Sequence, residues 1–495
     1  MNKEIKIGSV IAYINIFLNM IVNVFLTPFL ISSLGNSEYG VYKVIQSFSA
    51  QLAIMSFGVS TIVIRNIVYY TTQNKNKEKE NFIFMANIIS IILALLVVAV
   101  GAILYQSIDI MYGNTFTVEE LILSKKLFVL LVLNVGLSII TDNFTGLIRA
   151  HEKFIIFNGI TTARIGIRIL SIVLLISIGV KSIGIVLTDL FITLLVLLSS
   201  VIYSKFCLHE KGKFHYFDKK MFKESMTLSV AIFLQAIVNQ VNQNVDNIIL
   251  GALVGTKLVT IYSIGLSLYV SFNSLVTVFA GMYAPQAVKL VALGASGEEL
   301  TDFAIKPARI QAIFAGLGIV GFVLLGKDFV KLWLGNGYDD VYKITLILII
   351  PVVIPLVESI TNNILDAKLK RMARSIILVG MCIFNTIVSI ILIKTIGYIG
   401  AAYGTALSLI LGHGILMNIY LQKKIGINVL RMFRSVFTGI FKAVILSLLL
   451  CTPFTLISGG WFIFILKALC IVGIYFFVMY FKGMNDDERN MCLKH

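Results

Sequence analysis

Two arginines stand four residues apart inside an apolar run. Arg164 and Arg168 lie within residues 154–179, and helical periodicity puts them on one stripe with Thr161 and Ser171. A guanidinium fork grips two oxygens of one phosphate, so the pair suits an anionic, phosphate-bearing ligand. A second run is unusually rich in amides. Between 235 and 247, Gln235, Asn239, Asn242 and Asp246 share a helical face, with Gln243 beside them. Amides both donate and accept, as sugar hydroxyls require, although the same groups also serve as hydrogen bonds between bundled helices. Asp189, Asp246 and Glu358 are acids inside apolar runs. Each is placed to exchange H⁺, to hold Na⁺ or to pair with Arg164 or Arg168. Arg65 and Arg149 sit at the inner ends of runs, where the positive-inside rule alone also accounts for them, and Lys467 lies deeper within the last run, where snorkelling explains it less easily. His413 stands alone in its run.

The elements that carry these residues follow from composition. Of 495 residues, 58% are hydrophobic and 13% are charged, about half the charged share of a soluble domain. A water-soluble enzyme is excluded. Apolar stretches fall at 8–32, 41–64, 82–106, 122–147, 154–179, 183–205, 222–250, 258–285, 303–326, 341–365, 373–394, 398–421, 435–457 and 460–481. They are too long for transmembrane strands and do not alternate in polarity. The expected fold is an all-α polytopic membrane protein of about fourteen transmembrane helices. Lys3 and Lys6 precede a first stretch too long for a signal peptide, so it is read as a retained helix.

Basic residues, including Lys75, Lys77, Lys79 and Lys211, Lys213, Lys219, Lys220 and Lys223, gather on the side that holds the N-terminus. By the positive-inside rule both termini are expected in the cytoplasm. The net charge of +16 is therefore topological and does not point to nucleic acid. Five scattered cysteines suggest neither a disulfide frame nor a metal site. Pro351 and Pro355 bracket one turn of the tenth stretch, an expected bending point.

An internal repeat emerges from three matches in the same order. Residues 31–42 align on 251–262 at an offset of 220, 148–153 on 365–370 at 217, and 183–184 on 399–400 at 216. Two six-helix lobes of like orientation are expected, 1–210 and 211–425, with helices 13 and 14 appended in 426–495. Four segments carry a family resemblance: Leu34-Gly35 with Glu38-Tyr39-Gly40-Val41-Tyr42, Phe57-Gly58-Val59-Ser60 with Arg65, Arg149-Ala150 with Lys153-Phe154, and Gly397 to Gly400. With the 6 + 6 + 2 plan, they make the chain resemble the polysaccharide transporter branch of the multidrug/oligosaccharidyl-lipid/polysaccharide (MOP) exporter superfamily, which holds the O-antigen and teichoic-acid-type flippases.

The resemblance implies transport of a polyprenyl-diphosphate-linked oligosaccharide, typically on undecaprenyl diphosphate, across a bacterial cell membrane by alternating access, for cell-surface polysaccharide biosynthesis. Such a task needs a wet, cationic cavity. Arg164, Arg168, Gln235, Asn239, Asn242, Gln243, Arg65, Arg149 and Lys467 are the candidate substrate contacts. Asp246, Asp189 and Glu358 are the candidates for coupling to H⁺ or Na⁺. No cofactor is expected; polysaccharide assembly proteins are the expected partners. The alternatives are a multidrug exporter of the same superfamily and a membrane glycan polymerase. No His-Glu-x-x-His, Gly-x-Ser-x-Gly or Walker A motif supports an enzyme, and no loop is long enough for a catalytic domain.

Overall fold

In hydrocarbon every backbone N–H and C=O must find its partner within the segment, so long runs of Leu, Ile, Val and Phe fold as helices. The structure, a computed structural model, describes residues 3–216, 219–368 and 370–493, and no strand occurs among them. The side chains of Gln235, Asn239, Asn242 and Gln243 are among those outside the described ones.

The helices run α1 Lys3–Ala50, α2 Val59–Thr72, α3 Asn76–Tyr112, α4 Val118–Ala150, α5 Phe154–Ser177, α6 Lys181–Ile202 and α7 Lys219–Val254. They continue with α8 Thr256–Met282, α9 Ala284–Ala292, α10 Gly297–Leu334, α11 Asp339–Ile349, α12 Val353–Ala367 and α13 Arg371–Ile396. After α14 Gly400–Leu409 come a π-helical turn Ile410–Met417, α15 Asn418–Tyr420 and a second π turn Leu421–Ile425. The chain ends with α16 Val429–Phe437, α17 Ile440–Cys451, α18 Trp461–Val478 and α19 Asp486–Leu493.

Eleven of the described segments are long and apolar enough to cross a membrane, or twelve if the bent pair α11 and α12 is one span. One of the eleven, Val10–Thr72, has 63 residues, enough for two crossings at about 20 residues each. It divides at Gly35, whose φ of 75° and ψ of 166° break α1. The expected count of about fourteen is approximate; many side chains of α7 lie outside the described ones, and its described part holds a shorter apolar stretch, Asn244–Val254. α11 and α12 meet at a 42° bend next to Pro351, as the proline spacing predicts. One break was not expected: between α1 and α2, a 3-10 turn Gln51–Ser56 leads to Phe57 and Gly58 in the left-handed region.

The described chain forms two compact units that meet in sequence at Thr260 and Ile261. In the first, the turn at 34–42 is an anchor. Glu38 accepts from the Ser182 backbone N–H at 3.0 Å and hydroxyl at 2.6 Å, tying α1 to the start of α6. A Cβ on Gly40 would stand 2.0 Å from the Thr256 carbonyl oxygen, so only glycine admits that approach. Thr117 and Glu120 form a capping box at the start of α4, and Glu120 also accepts from Thr256. Arg149 donates to Ser60 and lies 4.8 Å above the Phe157 ring, locking the end of α4 against α2 and α5.

In the second unit α10 is central, packed by α12, α16, α17 and α18. Arg309 of α10 is 5% exposed. It donates to the carbonyls of Ser435, Val436, Thr438 and Gly483 and makes a bidentate pair with Glu488 of α19.

Candidate functional site

The rotation of α5 is set by a polar ladder against α1. Asn158 donates to the Gly8 carbonyl, Asn15 donates to the Asn158 carbonyl, and Thr162 donates to Asn15 Oδ1 at 2.7 Å. With Asn158 and Thr162 turned toward the packed side, Thr161, Arg164, Ile165 and Arg168 face a cavity of about 470 Å³. α1 contributes Asn19, Asn23, Gln46 and Ser49 to its wall, α4 contributes Asn134, and α6 contributes Asp189. Ser49 Oγ and Asn134 Oδ1 are buried and have no hydrogen-bond partner among the described residues. Unpaired buried polar atoms are costly without a ligand or water to meet them, so this wall is built to be wet.

Arg168 and Asp189 pair in the cavity wall. Arg168 Nε donates to Asp189 Oδ1 at 2.6 Å and Nη2 donates to Oδ2 at 3.1 Å. Their side chains keep 29% and 14% of their exposure. The Tyr42 hydroxyl lies against Arg168 and accepts from Gln46 at 3.0 Å. Lys43 joins the cluster, its ammonium 5.4 Å from the Tyr39 ring centroid and 5.8 Å from that of Tyr42, both within cation–π range. In the cavity wall itself Arg164 and Arg168 set two cations against the one carboxylate of Asp189.

The sequence-predicted residues divide sharply. Arg164, Arg168 and Asp189 come together. Arg65 is exposed on α2 and Arg149 is engaged with Ser60, and neither lines this cavity. Asp246 is 3% exposed on α7. The described amides of α7 bond within the unit: Asn244 to Gln240, Asn247 to Ser47, and Gln51 to the Gln240 carbonyl. In the second unit Lys467 is 3% exposed and bonds Asp328 and the Ile457 carbonyl, a bridge from α18 to α10. Glu358, 1% exposed, meets His413 at 3.0 Å, so the histidine that stands alone in sequence has a partner in space. No cluster of metal-ligating side chains occurs among the described residues.

Sequence reasoning missed Lys43, Asn19, Asn23, Gln46, Ser49 and Asn134. The signal was present in Asn19 and Asn23, four apart, and Tyr42, Gln46 and Ser49, spaced by four and three. Such spacings lay polar groups on one stripe of an otherwise apolar helix.

Residues 5–290 match the family model described as "Polysaccharide biosynthesis protein", and the chain belongs to that family. Its fold is that of the MOP superfamily. It is similar to the lipid II flippase MurJ in an inward closed conformation, at 15% identity and a TM-score of 0.69, over 96% of this chain and 98% of that one. It is also similar to the MATE multidrug transporter DinF-BH, at 15% identity and a TM-score of 0.62, over 88% and 97% of the two chains. An inward-facing multidrug resistance MATE family transporter of the MOP superfamily matches at 13% identity and a TM-score of 0.60, over 86% and 96%. No curated protein matches by sequence. The family and these structural neighbours are transporters, and the chain is a multi-pass membrane protein.

Proposed function

We propose that the protein is a flippase that carries a polyprenyl-diphosphate-linked oligosaccharide from the inner to the outer leaflet of a bacterial cell membrane, supplying cell-surface polysaccharide. The observation that carries this reading is the cavity in the first unit, where Arg164 and Arg168 stand among unpartnered Ser49 and Asn134 atoms, with Lys43 behind Arg168. A diphosphate cannot cross hydrocarbon bare, and guanidinium groups in a partly wet site replace its lost hydration with charge-assisted hydrogen bonds. The asparagine and glutamine side chains beside them offer donors and acceptors to the first sugars.

Undecaprenyl diphosphate is the carrier that fits a bacterial setting, with the basic loops facing the cytoplasm. The break at 51–58 and the bend at 349–353 supply two joints for alternating access. Transport against a gradient draws on H⁺ or Na⁺.

A multidrug exporter shares the fold, but a cavity with excess positive charge repels the organic cations such exporters handle. The test is glycan export in a host lacking the chromosomal gene and complemented with Arg164→Ala/Arg168→Ala. Each lost charge-assisted contact costs about 1.5–3 kcal/mol, so surface glycan falls at least tenfold at equal membrane abundance. Undiminished glycan with efflux of cationic dyes would establish the exporter instead.

A further inference from the structure

The second unit holds a buried acid that the cation cavity does not use. Glu358 is 1% exposed on α12. Its Oε2 meets Nδ1 of His413 at 3.0 Å, and its Oε1 is buried with no hydrogen-bond partner among the described residues. The Asn418 side chain lies against the same carboxyl. Asn418 is 9% exposed, its Nδ2 donates to the Gly414 carbonyl at 3.2 Å, and its Oδ1 is a second buried oxygen with no donor. Glu358 Oε1 and Asn418 Oδ1 are thus two buried oxygens without a donor among the described residues, on elements that also carry the buried Val357, Ile360 and Met417.

What such oxygens lack is a hydrogen-bearing or positively charged neighbour. His413 and Asn418 come to Glu358 from the π-helical turn Ile410–Met417 and the turn after it, and wide turns of this kind cluster at functional sites. Neighbouring polar groups are already committed. Gln311 donates to the Val276 carbonyl and accepts from Ser359, and Thr361 donates to the Glu358 carbonyl. Of the charged groups on elements packed against α12, Lys289 of α9 and Lys306 of α10 are exposed, Arg309 of α10 is held by Glu488, and Arg374 of α13 faces Asp366. Cys382 of α13 is buried. His413 is the titratable group recorded at the Glu358 carboxyl among the described residues.

We propose that Glu358, His413 and Asn418 form a proton-binding site in the second unit, in which one proton is held on Glu358 as a carboxylic acid and exchanged through His413. The step is Glu358 carboxylate plus H⁺ to the neutral acid. The acid O–H supplies a donor that these oxygens lack, while His413 donates from Nδ1 to Glu358 Oε2. His413 Nε2 is then left as an acceptor on a ring that keeps 13% of its side-chain exposure, the route by which the proton enters and leaves. A net-neutral pair is also the form that an apolar interior tolerates. This site stands independently of the substrate assigned to the first unit.

The test is infrared difference spectroscopy of the purified, reconstituted protein, titrated from acid to alkaline pH in choline buffer and again with Na⁺. The wild type should show a protonated carboxylic-acid stretch that disappears on titration, is absent from Glu358→Gln and moves in frequency in Asn418→Ala. Na⁺ should leave it unchanged. Thermal unfolding of each variant checks that the fold persists, and Asn418→Ala keeps the test open where Glu358→Gln unfolds. A wild-type spectrum identical to that of Glu358→Gln at every pH, or no frequency shift in Asn418→Ala, overturns the proposal. So does loss of the band on adding Na⁺, which would make this a metal-ion site.

Discussion

The two units treat charge in opposite ways. In the first, Arg164, Arg168 and Asp189 border a cavity and keep some exposure, with two positive groups to one negative in its wall and unpartnered hydroxyl and amide atoms beside them. In the second, Arg309 is wrapped by four carbonyls and Glu488, and Lys467 is closed on Asp328. Excess charge beside a cavity is an unfilled binding capacity, whereas paired charge in a dry interior is architecture. On the proposed function, the difference separates an arginine that recognises a ligand from one that holds helices together, although both residues sit in long, largely apolar helices.

Breaking the architectural arginine should have the largest effect. Arg309→Ala leaves the Glu488 carboxylate buried without its partner, which costs about 3–5 kcal/mol. Arg168→Ala removes a pair that solvent still reaches, worth about 1 kcal/mol or less to stability. Thermal unfolding in detergent should therefore drop steeply for the first variant and barely for the second. Equal losses would erase the distinction between the two units.

A smaller effect sharpens the comparison at the end of the molecule that carries the basic loops. There Glu210 accepts from Lys79 at 2.7 Å and meets His151 at 2.9 Å. Burial raises its carboxyl, but the hydrogen bonds from His151 and Lys79 outweigh that and hold it below the usual range. A depressed carboxyl contributes stability above its unfolded value and loses it as pH falls through the folded one. The wild type should lose a small increment of stability below about pH 4. Glu210→Gln should lack that increment, and unfolding curves with the same acid dependence in both proteins would remove the latch.

Much of the fold was legible because hydrocarbon leaves the backbone few choices, so long apolar runs announced helices and Pro351 announced a bend. The turn at 34–42 stood out in sequence by its glycines, and in the structure Gly35 breaks α1, Glu38 reaches α6 and Gly40 lies on the Thr256 carbonyl. The break at Phe57 and Gly58 was not legible, because its hydropathy is continuous with the helices on either side. At the site, Arg164 and Arg168 declared themselves by spacing. Lys43 did not, since it lies near the end of a span and reads as loop charge. The pairings of Arg168 with Asp189 and Glu358 with His413 bring together residues 21 and 55 positions apart, and periodicity within one helix carries no information about such contacts. Arg309 went unremarked because it sits near a helix end in sequence, where a basic residue is ordinary.

The central claim, that the first unit's cavity grips a diphosphate, is tested most directly by calorimetric titration of inorganic pyrophosphate into the purified full-length protein. The account predicts saturable binding in the wild type, weakened roughly tenfold or more in Arg168→Ala, as loss of a charge-assisted fork requires, and weakened less in Lys43→Ala. Wild-type affinity retained in Arg168→Ala, or no pyrophosphate binding by the wild type, would contradict it.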